Sequence, residues 1–164
     1  SPFRREACVR LMAEKPAAIR GNASEIRALA GEAAGGRGVD SGDPVEAAEV
    51  AACVLAARTG AVVATTGETD FVTDGARSAR VAGGHPLMTR VTAMGCGLTA
   101  VLGAYLAAVA DPFEAAVAAL AHFKLAGERA ADAAVGPGSF HPAFLDALAA
   151  IDGPALSAGA RVTA

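Results

Sequence analysis

A short polar run after an apolar stretch is the first place in this sequence where ligand chemistry is possible. Arg20 and Asn22 follow the apolar residues 17–19, and Glu25 lies three residues after Asn22. If residues 17–19 form a strand of an α/β sheet, these side chains lie at its carboxyl end, where such folds bind ligands. Arginine there binds phosphate, and amide and carboxylate oxygens suit Mg²⁺. The same spacing also fits a helix-capping box beside an exposed arginine, so both interpretations stay open.

A cysteine between two glycines is the second candidate. Cys96 lies in the run Ala93-Met94-Gly95-Cys96-Gly97, directly before an apolar stretch long enough for a buried helix. The dipole at a helix N-terminus favours a thiolate, and glycine lets a ligand approach the backbone closely. The alternative is a small cysteine packed beside glycines. The other two cysteines fall within predicted helices on apolar faces, and we expect core positions for them.

The stretch Thr65-Thr66-Gly67-Glu68 ends another apolar run and is the third candidate. It could bind the phosphate or ribose of a nucleotide, or it could be a plain turn. The signatures GxxxxGK[ST] and GxGxxG after a strand do not occur in the sequence, so P-loop and Rossmann chemistry lack support. The three histidines show no metal-ligand spacing, and we expect them to be structural or solvated.

The composition limits the class of protein. Hydrophobic types make up 53% of the 164 residues, charged types make up 19%, and the net charge is −3. A disordered chain would need low hydrophobicity and high net charge, and duplex DNA-binding proteins usually carry a basic stripe. No uninterrupted apolar run reaches the about 18 residues of a membrane span. We therefore predict a folded protein that binds neither nucleic acid nor membrane, and its odd count of three cysteines fits a reducing cytoplasm.

Helices and short apolar strands alternate along the first half of the sequence. Periodicity and capping signals predict helices over residues 2–14, 22–30, 43–58, 95–109, 113–134 and 142–151. Apolar runs predict strands over 17–19, 61–65, 70–73 and 76–82, with a turn at Asp74-Gly75 between the last two. The stretches 31–43 and 83–92 are expected to be irregular.

This alternation predicts an α/β fold with a mostly parallel central sheet flanked by helices. The last third is expected to be helical. We predict a single partial domain over residues 1–152 and a frayed tail over 153–164.

Six motifs occur in an order that resembles the hydroxyethylthiazole kinase family of thiamine salvage. They are Lys15-Pro16-Ala17-Ala18-Ile19-Arg20-Gly21-Asn22-Ala23-Ser24-Glu25-Ile26, Gly35-Gly36-Arg37-Gly38-Val39-Asp40, Thr66-Gly67-Glu68, Gly95-Cys96, Ala126-Gly127-Glu128 and Gly136-Pro137-Gly138-Ser139-Phe140. The resemblance covers about residues 4–150. The Arg-Gly-Asn-x-x-Glu run with a downstream Gly-Cys is its most specific part.

The resemblance implies a ribokinase-like fold whose N-terminal strands have no counterpart in this sequence. It implies transfer of the γ-phosphoryl group of ATP to the primary alcohol of 4-methyl-5-(2-hydroxyethyl)thiazole, with Mg²⁺ as cofactor. It also implies a cytoplasmic homotrimer. In the family, the portion that precedes the matched region supplies much of the thiazole pocket.

Residue roles follow from the resemblance for the nucleotide. Arg20 is expected to bind an ATP phosphate, and Thr66 is expected to contact ATP as well. Glu25, supported by Asn22, is expected to hold Mg²⁺ through water.

Further roles follow for the transfer step. The backbone amides of Ala93, Met94, Gly95 and Cys96 are expected to form an anion hole, and Ala93 is expected to touch the thiazole. Cys96 is expected to lie beside the alcohol and help to remove its proton.

The sequence departs from the family pattern, which usually has Gly-Thr where this chain has Ala93-Met94. If residue 93 requires positive φ, alanine costs about 1–2 kcal/mol there. The alternative hypothesis is that the chain is a truncated or degenerate, non-catalytic nucleotide-binding or assembly module of the same fold.

Overall fold

The chain forms two compact units in a computed structural model that describes residues 2–31 and 44–164. One unit comprises Ser1–Ala79 with Ala164, and the other comprises Arg80–Thr163. The sequence predicts one partial domain over residues 1–152, and the division at Ala79 falls within that range. Both units combine helices with strands, in keeping with the predicted α/β class.

The first unit contains three helices and three complete strands among its described residues. They are α1 (Pro2–Ala13), β1 (Ala18–Asn22), α2 (Ala23–Ala30), α3 (Pro44–Thr59), β2 (Val62–Thr66) and β3 (Asp70–Thr73). Strands β1 and β2 pair in parallel from Ala18↔Val62 to Asn22↔Thr66. Strands β2 and β3 pair in the antiparallel direction, because the three residues that join them are too few for a crossover connection.

Small and branched apolar side chains build the core of this unit. Ile26 of α2, Leu55 of α3 and Val63 of β2 are fully buried and belong to one cluster. Cys53 of α3 is half-buried and packs against that cluster, and Cys8 of α1 is half-buried too. Both cysteines lie within helices as predicted, but they are half-buried rather than in the core as expected.

The second unit is mainly helical, as predicted for the last third of the chain. Its elements are β4 (Ser78–Ala82, which starts two residues before the boundary), a 3-10 helix (Pro86–Arg90), α4 (Met94–Ala108), α5 (Pro112–Ala133), α6 (Pro137–Ala150), α7 (Gly153–Gly159) and β5 (Arg161–Thr163). Strand β5 pairs antiparallel with β4, from Arg80↔Thr163 to Ala82↔Arg161.

Helix α5 is the core element of this unit. Asp111 caps it, since its side chain accepts a hydrogen bond from the backbone N–H of Phe113 at 2.9 Å. The Phe123 ring of α5 meets the Phe144 ring of α6 edge-on, with 4.7 Å between centroids. His122 of α5 also joins its neighbours, through Tyr105 of α4 and the backbone oxygen of Leu148 of α6.

Four predictions of the sequence analysis differ from this structure. The strand pairing is mixed rather than mostly parallel, because β1 and β2 pair in parallel whereas β2 with β3 and β4 with β5 pair antiparallel. Helix α6 starts at Pro137, and Pro142, expected at its start, lies inside it. The stretch 83–92 contains a 3-10 helix, and residues expected to fray after 152 form α7 and β5.

Two predictions lie outside the described residues. They are the loop over residues 32–43 with the Gly35–Asp40 motif, and the capping of α3 by Asp43. Among the described residues, no helix is both long and apolar enough to cross a membrane.

Candidate functional site

Arg20 and Thr66 meet where the two parallel strands end. The Nη2 of Arg20 donates a hydrogen bond to the Oγ1 of Thr66 at 2.8 Å, and both residues are half-buried. The Thr66 hydroxyl in turn donates to the backbone oxygen of Gly21 at 3.3 Å. Since Asn22 and Thr66 are register partners, a cationic group is held at the carboxyl edge of β1 and β2. This is the position at which α/β sheets bind phosphorylated ligands.

The Arg-Gly-Asn-x-x-Glu run folds as the predicted capping box of α2. The Oδ1 of Asn22 accepts from the backbone N–H of Glu25 at 2.9 Å, and the Oε2 of Glu25 accepts from the backbone N–H of Asn22 at 2.8 Å. Gly21 makes this return possible, since a Cβ there would lie 3.1 Å from the Cβ of Glu25 and 3.2 Å from its Oε2. The motif therefore combines an arginine at the strand end with a tightly closed helix start.

The oxygens at the start of α2 fit Mg²⁺ only as a site with one protein carboxylate. The Oδ1 of Asn22 is occupied by the cap and by the hydroxyl of Ser24 at 2.8 Å. Glu25 is exposed and uses Oε2 in the cap, so a cation could bind its other oxygen without breaking the box. No group of three or more His, Cys, Asp or Glu side chains that could hold a metal occurs in residues 2–31 and 44–164. Mg²⁺ accepts such a site, because it keeps several waters and binds phosphate oxygens.

The stretch after β2 forms a tight turn, which is one of the two interpretations that the sequence allowed beside nucleotide binding. The backbone N–H of Gly67 donates to the Oδ1 of Asp70 at 2.9 Å, which closes the turn into β3. Thr65 is buried, whereas Glu68 is exposed. Within this stretch, Thr66 is the residue with a contact to Arg20 that suits nucleotide binding.

The start of α4 has the backbone shape of an anion site. Ala93 adopts φ 69° and ψ 9°, the left-handed conformation, and no side chain caps the helix. The first intrahelical bond runs from the N–H of Gly97 to the oxygen of Ala93 at 2.9 Å. The preceding amides, at Met94, Gly95 and Cys96, belong to the first turn of α4, and the N-terminal end of a helix favours anions.

A cavity of about 250 Å³ opens beside this helix start. Cys96 is exposed and lines the cavity together with Ala93 and Met94. The opposite wall is formed by Phe123 of α5 and by three residues of one face of α6, namely His141, Phe144 and Leu145. The alternative of a small, packed Cys96 does not hold, because Cys96 is exposed and lines the cavity.

The far wall of this cavity was not predicted from the sequence. His141 was expected to be structural or solvated, and it lines the same cavity as Cys96. The spacing of His141, Phe144 and Leu145 at i, i+3 and i+4 is the signal that could have placed them on one helix face. The predicted residues Arg20, Asn22, Glu25 and Thr66 belong to the first unit, and residues 93–96 belong to the second.

Comparisons with known proteins agree along most of the chain. A family model described as "HK: Hydroxyethylthiazole kinase family" matches residues 1–153. A protein of Cereibacter sphaeroides (strain ATCC 17029 / ATH 2.4.9) named hydroxyethylthiazole kinase is 62% identical over 99% of this chain and 62% of its own length. A protein of the same name from Rhizobium etli (strain ATCC 51251 / DSM 11541 / JCM 21823 / NBRC 15573 / CFN 42) is 60% identical over 98% of this chain and 63% of its own.

A solved structure shows the same backbone arrangement. The structure of hydroxyethylthiazole kinase from Pyrococcus horikoshii OT3 aligns with a TM-score of 0.88 and 34% sequence identity, over 99% of this chain and 60% of that one. The chain thus spans less than two thirds of the length of the relatives it matches.

Proposed function

Because the chain belongs to the hydroxyethylthiazole kinase family, we propose that it forms the phosphoryl-transfer part of an ATP-dependent kinase. The acceptor is the hydroxyethyl group of 4-methyl-5-(2-hydroxyethyl)thiazole, and the fold is ribokinase-like. The observation that carries the proposal is the start of α4, which has no side-chain cap and whose residues Ala93, Met94 and Cys96 line one cavity. That combination suits an alcohol acceptor and a phosphoryl group in transfer.

Arg20 and Thr66 bind the ATP phosphates in this proposal. A guanidinium presents several donors in a fixed plane and binds phosphate oxygens with charge-assisted hydrogen bonds. The Thr66 hydroxyl holds that plane in place at 2.8 Å. These residues therefore orient the nucleotide, which is most of what phosphoryl transfer asks of a protein.

Glu25 would hold Mg²⁺, and Asn22 would support it by keeping α2 capped. Bound Mg²⁺ neutralises charge on the phosphate oxygens and on the leaving group. The carboxylate of Glu25 is fixed by its bond to the backbone N–H of Asn22, so it is held in place before the cation arrives.

The transfer step takes place at the start of α4. The alcohol oxygen forms a new bond to the γ-phosphorus while the bond to the bridging oxygen breaks, and ADP leaves with that electron pair. The sulfur of Cys96 takes up the alcohol proton. The amides of Ala93, Met94, Gly95 and Cys96 stabilise the charge on the transferring group, and Ala93 also contacts the thiazole.

The activity belongs to a longer, cytoplasmic protein that works as a homotrimer. The matched relatives are longer than this chain, which supports the idea that further residues complete the thiazole pocket. The three cysteines are free thiols, which suits a reducing compartment. The kinase hypothesis is favoured over the hypothesis of a non-catalytic module, because relatives at 58–62% identity are named hydroxyethylthiazole kinase.

Phosphorus NMR of the reaction tests this function. The whole reading frame that contains the chain is incubated with ATP, Mg²⁺ and the thiazole alcohol, and a phosphomonoester of the alcohol is expected. The matched control is the 5-ethyl thiazole, which lacks only the hydroxyl group and should release no ADP above background. ADP release that is equal with both compounds, without a phosphomonoester, would show that the acceptor is wrong.

A further inference from the structure

The start of α4 takes its position from the segment that precedes it. We call residues 83–93 the lead-in segment. It opens with two glycines in the left-handed region, Gly83 at φ 118° and Gly84 at φ 83°, and it ends at Ala93 at φ 69°. A 3-10 helix lies between them, at Pro86–Arg90. Because Ala93 leads directly into α4, whatever fixes this segment also fixes the first amides of the helix.

Helix α5 holds the beginning of the lead-in segment through two charged side chains. The backbone N–H of Gly84 donates to the Oε1 of Glu128 at 2.9 Å. The Nζ of Lys124 donates to the backbone oxygen of Gly83 at 3.3 Å, and Lys124 is 7% exposed. Hydrogen bonds to charged groups are stronger than neutral ones, so both glycines are firmly held.

The middle of the lead-in segment packs against α5 at Gly127. A Cβ on Gly127 would lie 2.3 Å from the Sδ of Met88 and 3.1 Å from its Cγ, so the Met88 side chain occupies the space that glycine leaves. The backbone N–H of His85 also donates to the Sδ of Met88 at 3.4 Å. The 3-10 helix is therefore anchored on α5 by the side chain of Met88.

The carboxylate of Glu128 is itself held from a second side. Arg161 of β5 donates from Nη1 to the Oε2 of Glu128 at 3.2 Å, and its Nη2 contacts the Oε1. A Cβ on Gly83 would lie 2.6 Å from that Oε1, so the backbone passes close against the ion pair. Glu128 thus has little freedom to release the N–H of Gly84.

We propose that Gly127 and Glu128 are positioning residues for phosphoryl transfer, which set the place of the α4 amides through the lead-in segment. This assignment rests on the proposed function. It gives a role to the motif Ala126-Gly127-Glu128, whose side chains are not among those that line the cavity beside Cys96. Misplacement of catalytic groups by about 1 Å can cost up to about a hundredfold in rate.

Three variants of the whole reading frame distinguish a role of Glu128 in positioning the lead-in segment from a role in the stability of the fold. Glu128→Ala loses the acceptor for the Gly84 N–H, whereas Glu128→Gln keeps a side-chain oxygen that can accept it. Asp132→Ala is the matched control, an exposed carboxylate one turn further along α5. For each variant we measure kcat per folded molecule, KM for the acceptor, and hydrogen exchange of the backbone over residues 83–97.

The proposal predicts a split between kcat and KM. Glu128→Ala should lower kcat about tenfold or more and leave KM within about threefold, because an anion site acts mainly in the transition state. It should also speed exchange over residues 83–97. Glu128→Gln should restore both readouts to near the parent, and Asp132→Ala should change neither.

Three outcomes would overturn the proposal or its premise. A Glu128→Ala protein with parental kcat per folded molecule, however unstable, would assign Glu128 to folding alone. A Glu128→Gln protein as slow as Glu128→Ala would show that the ion pair with Arg161 matters instead of the bond to Gly84. A parent without phosphorylating activity would reject the proposed function, and the exchange comparison would still decide whether Glu128 fixes the lead-in segment.

Discussion

Arg20 is the residue whose placement most directly links the strand edge to nucleotide chemistry. Its guanidinium is held by the Thr66 hydroxyl at 2.8 Å, at the end of the parallel pair β1–β2. The side chain is half-buried, so its charge is less screened than that of a fully exposed arginine.

Replacing this arginine should weaken nucleotide binding. We expect Arg20→Ala to raise the Kd for a non-hydrolysable ATP analogue with Mg²⁺ about tenfold or more, because a charge-assisted hydrogen bond contributes about 1.5–3 kcal/mol. Calorimetric titration measures it. The matched control is Arg58→Ala, since Arg58 donates to the backbone oxygens of Leu29 and Ala30 in the same unit. Equal effects of the two substitutions would place the phosphates elsewhere.

Ala93 carries a conformation that glycine adopts more easily. Its φ of 69° confirms that the residue before Met94 needs the left-handed region. We expect Ala93→Gly to raise the free energy of unfolding by about 1 kcal/mol, because the left-handed region costs alanine about 1–2 kcal/mol and glycine little.

A second glycine substitution in the same helix gives the control with the opposite sign. Ala104→Gly, at an exposed position inside α4, should lower the free energy of unfolding by about 0.5–1 kcal/mol. Urea unfolding of both variants measures the pair. If Ala93→Gly also destabilises, the left-handed conformation at residue 93 is not the one in solution.

Local chemistry explains which site residues the sequence could reveal. The capping box of Asn22 and Glu25 lies within four residues, so its spacing alone predicts it, and the structure confirms it. The contact between Arg20 and Thr66 joins residues 46 positions apart and depends on strand register. The cavity wall at His141 needs the packing of α5 and α6 against α4, which no local pattern contains.

Among the elements, the turn after β3 shows most clearly how hydrogen bonds and an ion pair to one carboxylate close a turn. The Oδ1 of Asp74 accepts from the backbone N–H of Arg77 at 2.7 Å and of Ala76 at 2.9 Å, and its Oδ2 pairs with the Nε of Arg77 at 2.7 Å. These bonds, the one from the Arg77 backbone first, lower the pKa of Asp74 to about 2. The predicted Asp-Gly turn is thus closed by the aspartate side chain.

This lowered pKa makes the stability of the turn depend on pH. The unfolded chain takes up the Asp74 proton near pH 4 and the folded chain near pH 2, so the contribution is complete above about pH 4 and is lost as the pH falls to 2. We expect Asp74→Asn to remove about 1 kcal/mol at pH 6, a value reduced for solvent screening. It should remove little at pH 2. Urea unfolding at the two pH values tests it, and an equal loss at both would mean that the charge is irrelevant.

Helices α4, α5 and α6 are joined by one imidazole. The Nδ1 of His122 accepts from the Tyr105 hydroxyl at 2.9 Å when its Nε2 donates to the Leu148 oxygen at 3.0 Å, which defines a neutral ring. Desolvation lowers the pKa of His122, with a further contribution from the charge of Arg129, against the opposing effect of the Leu148 bond. Desolvation likewise raises the pKa of Tyr105.

The neutral ring should make the stability of this helix trio fall in acid. The unfolded state gains the His122 proton near pH 6.5 and the folded state only at lower pH, so stability is lost as the pH falls below about 6.5. We expect His122→Phe to cost about 1–3 kcal/mol at pH 8, because two polar groups lose a partner. The variant should also lose less stability than the parent between pH 8 and pH 5.5. Unfolding at both pH values checks this, and parallel losses would show that His122 does not titrate on unfolding.

The elements that sequence analysis located well are those with local signals. Helices α1, α2, α4 and α5 lie close to their predicted bounds, because apolar spacing and caps mark them. The sequence predicted that α6 starts at Pro142, because either Pro137 or Pro142 could occupy the first turn of a helix. In the structure α6 starts at Pro137, and Pro142 lies inside it. Strand β5 has three exposed residues and owes its structure to pairing with β4, which its own composition does not indicate.

For the whole molecule, the ordered motifs predicted the family, whereas the pattern of helices and strands predicted only the fold class. The ordered motifs pointed to the family that the comparisons then showed over residues 1–153. The alternation of helical and strand-like segments predicted the α/β class correctly, but it predicted a mostly parallel sheet where the strand pairing is mixed. The chain spans about 62% of the length of its curated relatives, so its activity is a property to be tested in the complete reading frame.

The most direct test of the account is the single-turnover rate of the Cys96→Ala protein, measured in the whole reading frame with saturating ATP, Mg²⁺ and thiazole alcohol. If the sulfur of the exposed Cys96 takes up the alcohol proton, the rate should fall about a hundredfold or more, with nucleotide affinity unchanged. Cys53→Ala, which removes a half-buried thiol from the other unit, should keep the parental rate per folded molecule. A Cys96→Ala protein that transfers the phosphoryl group within about threefold of the parental rate would contradict proton removal by Cys96.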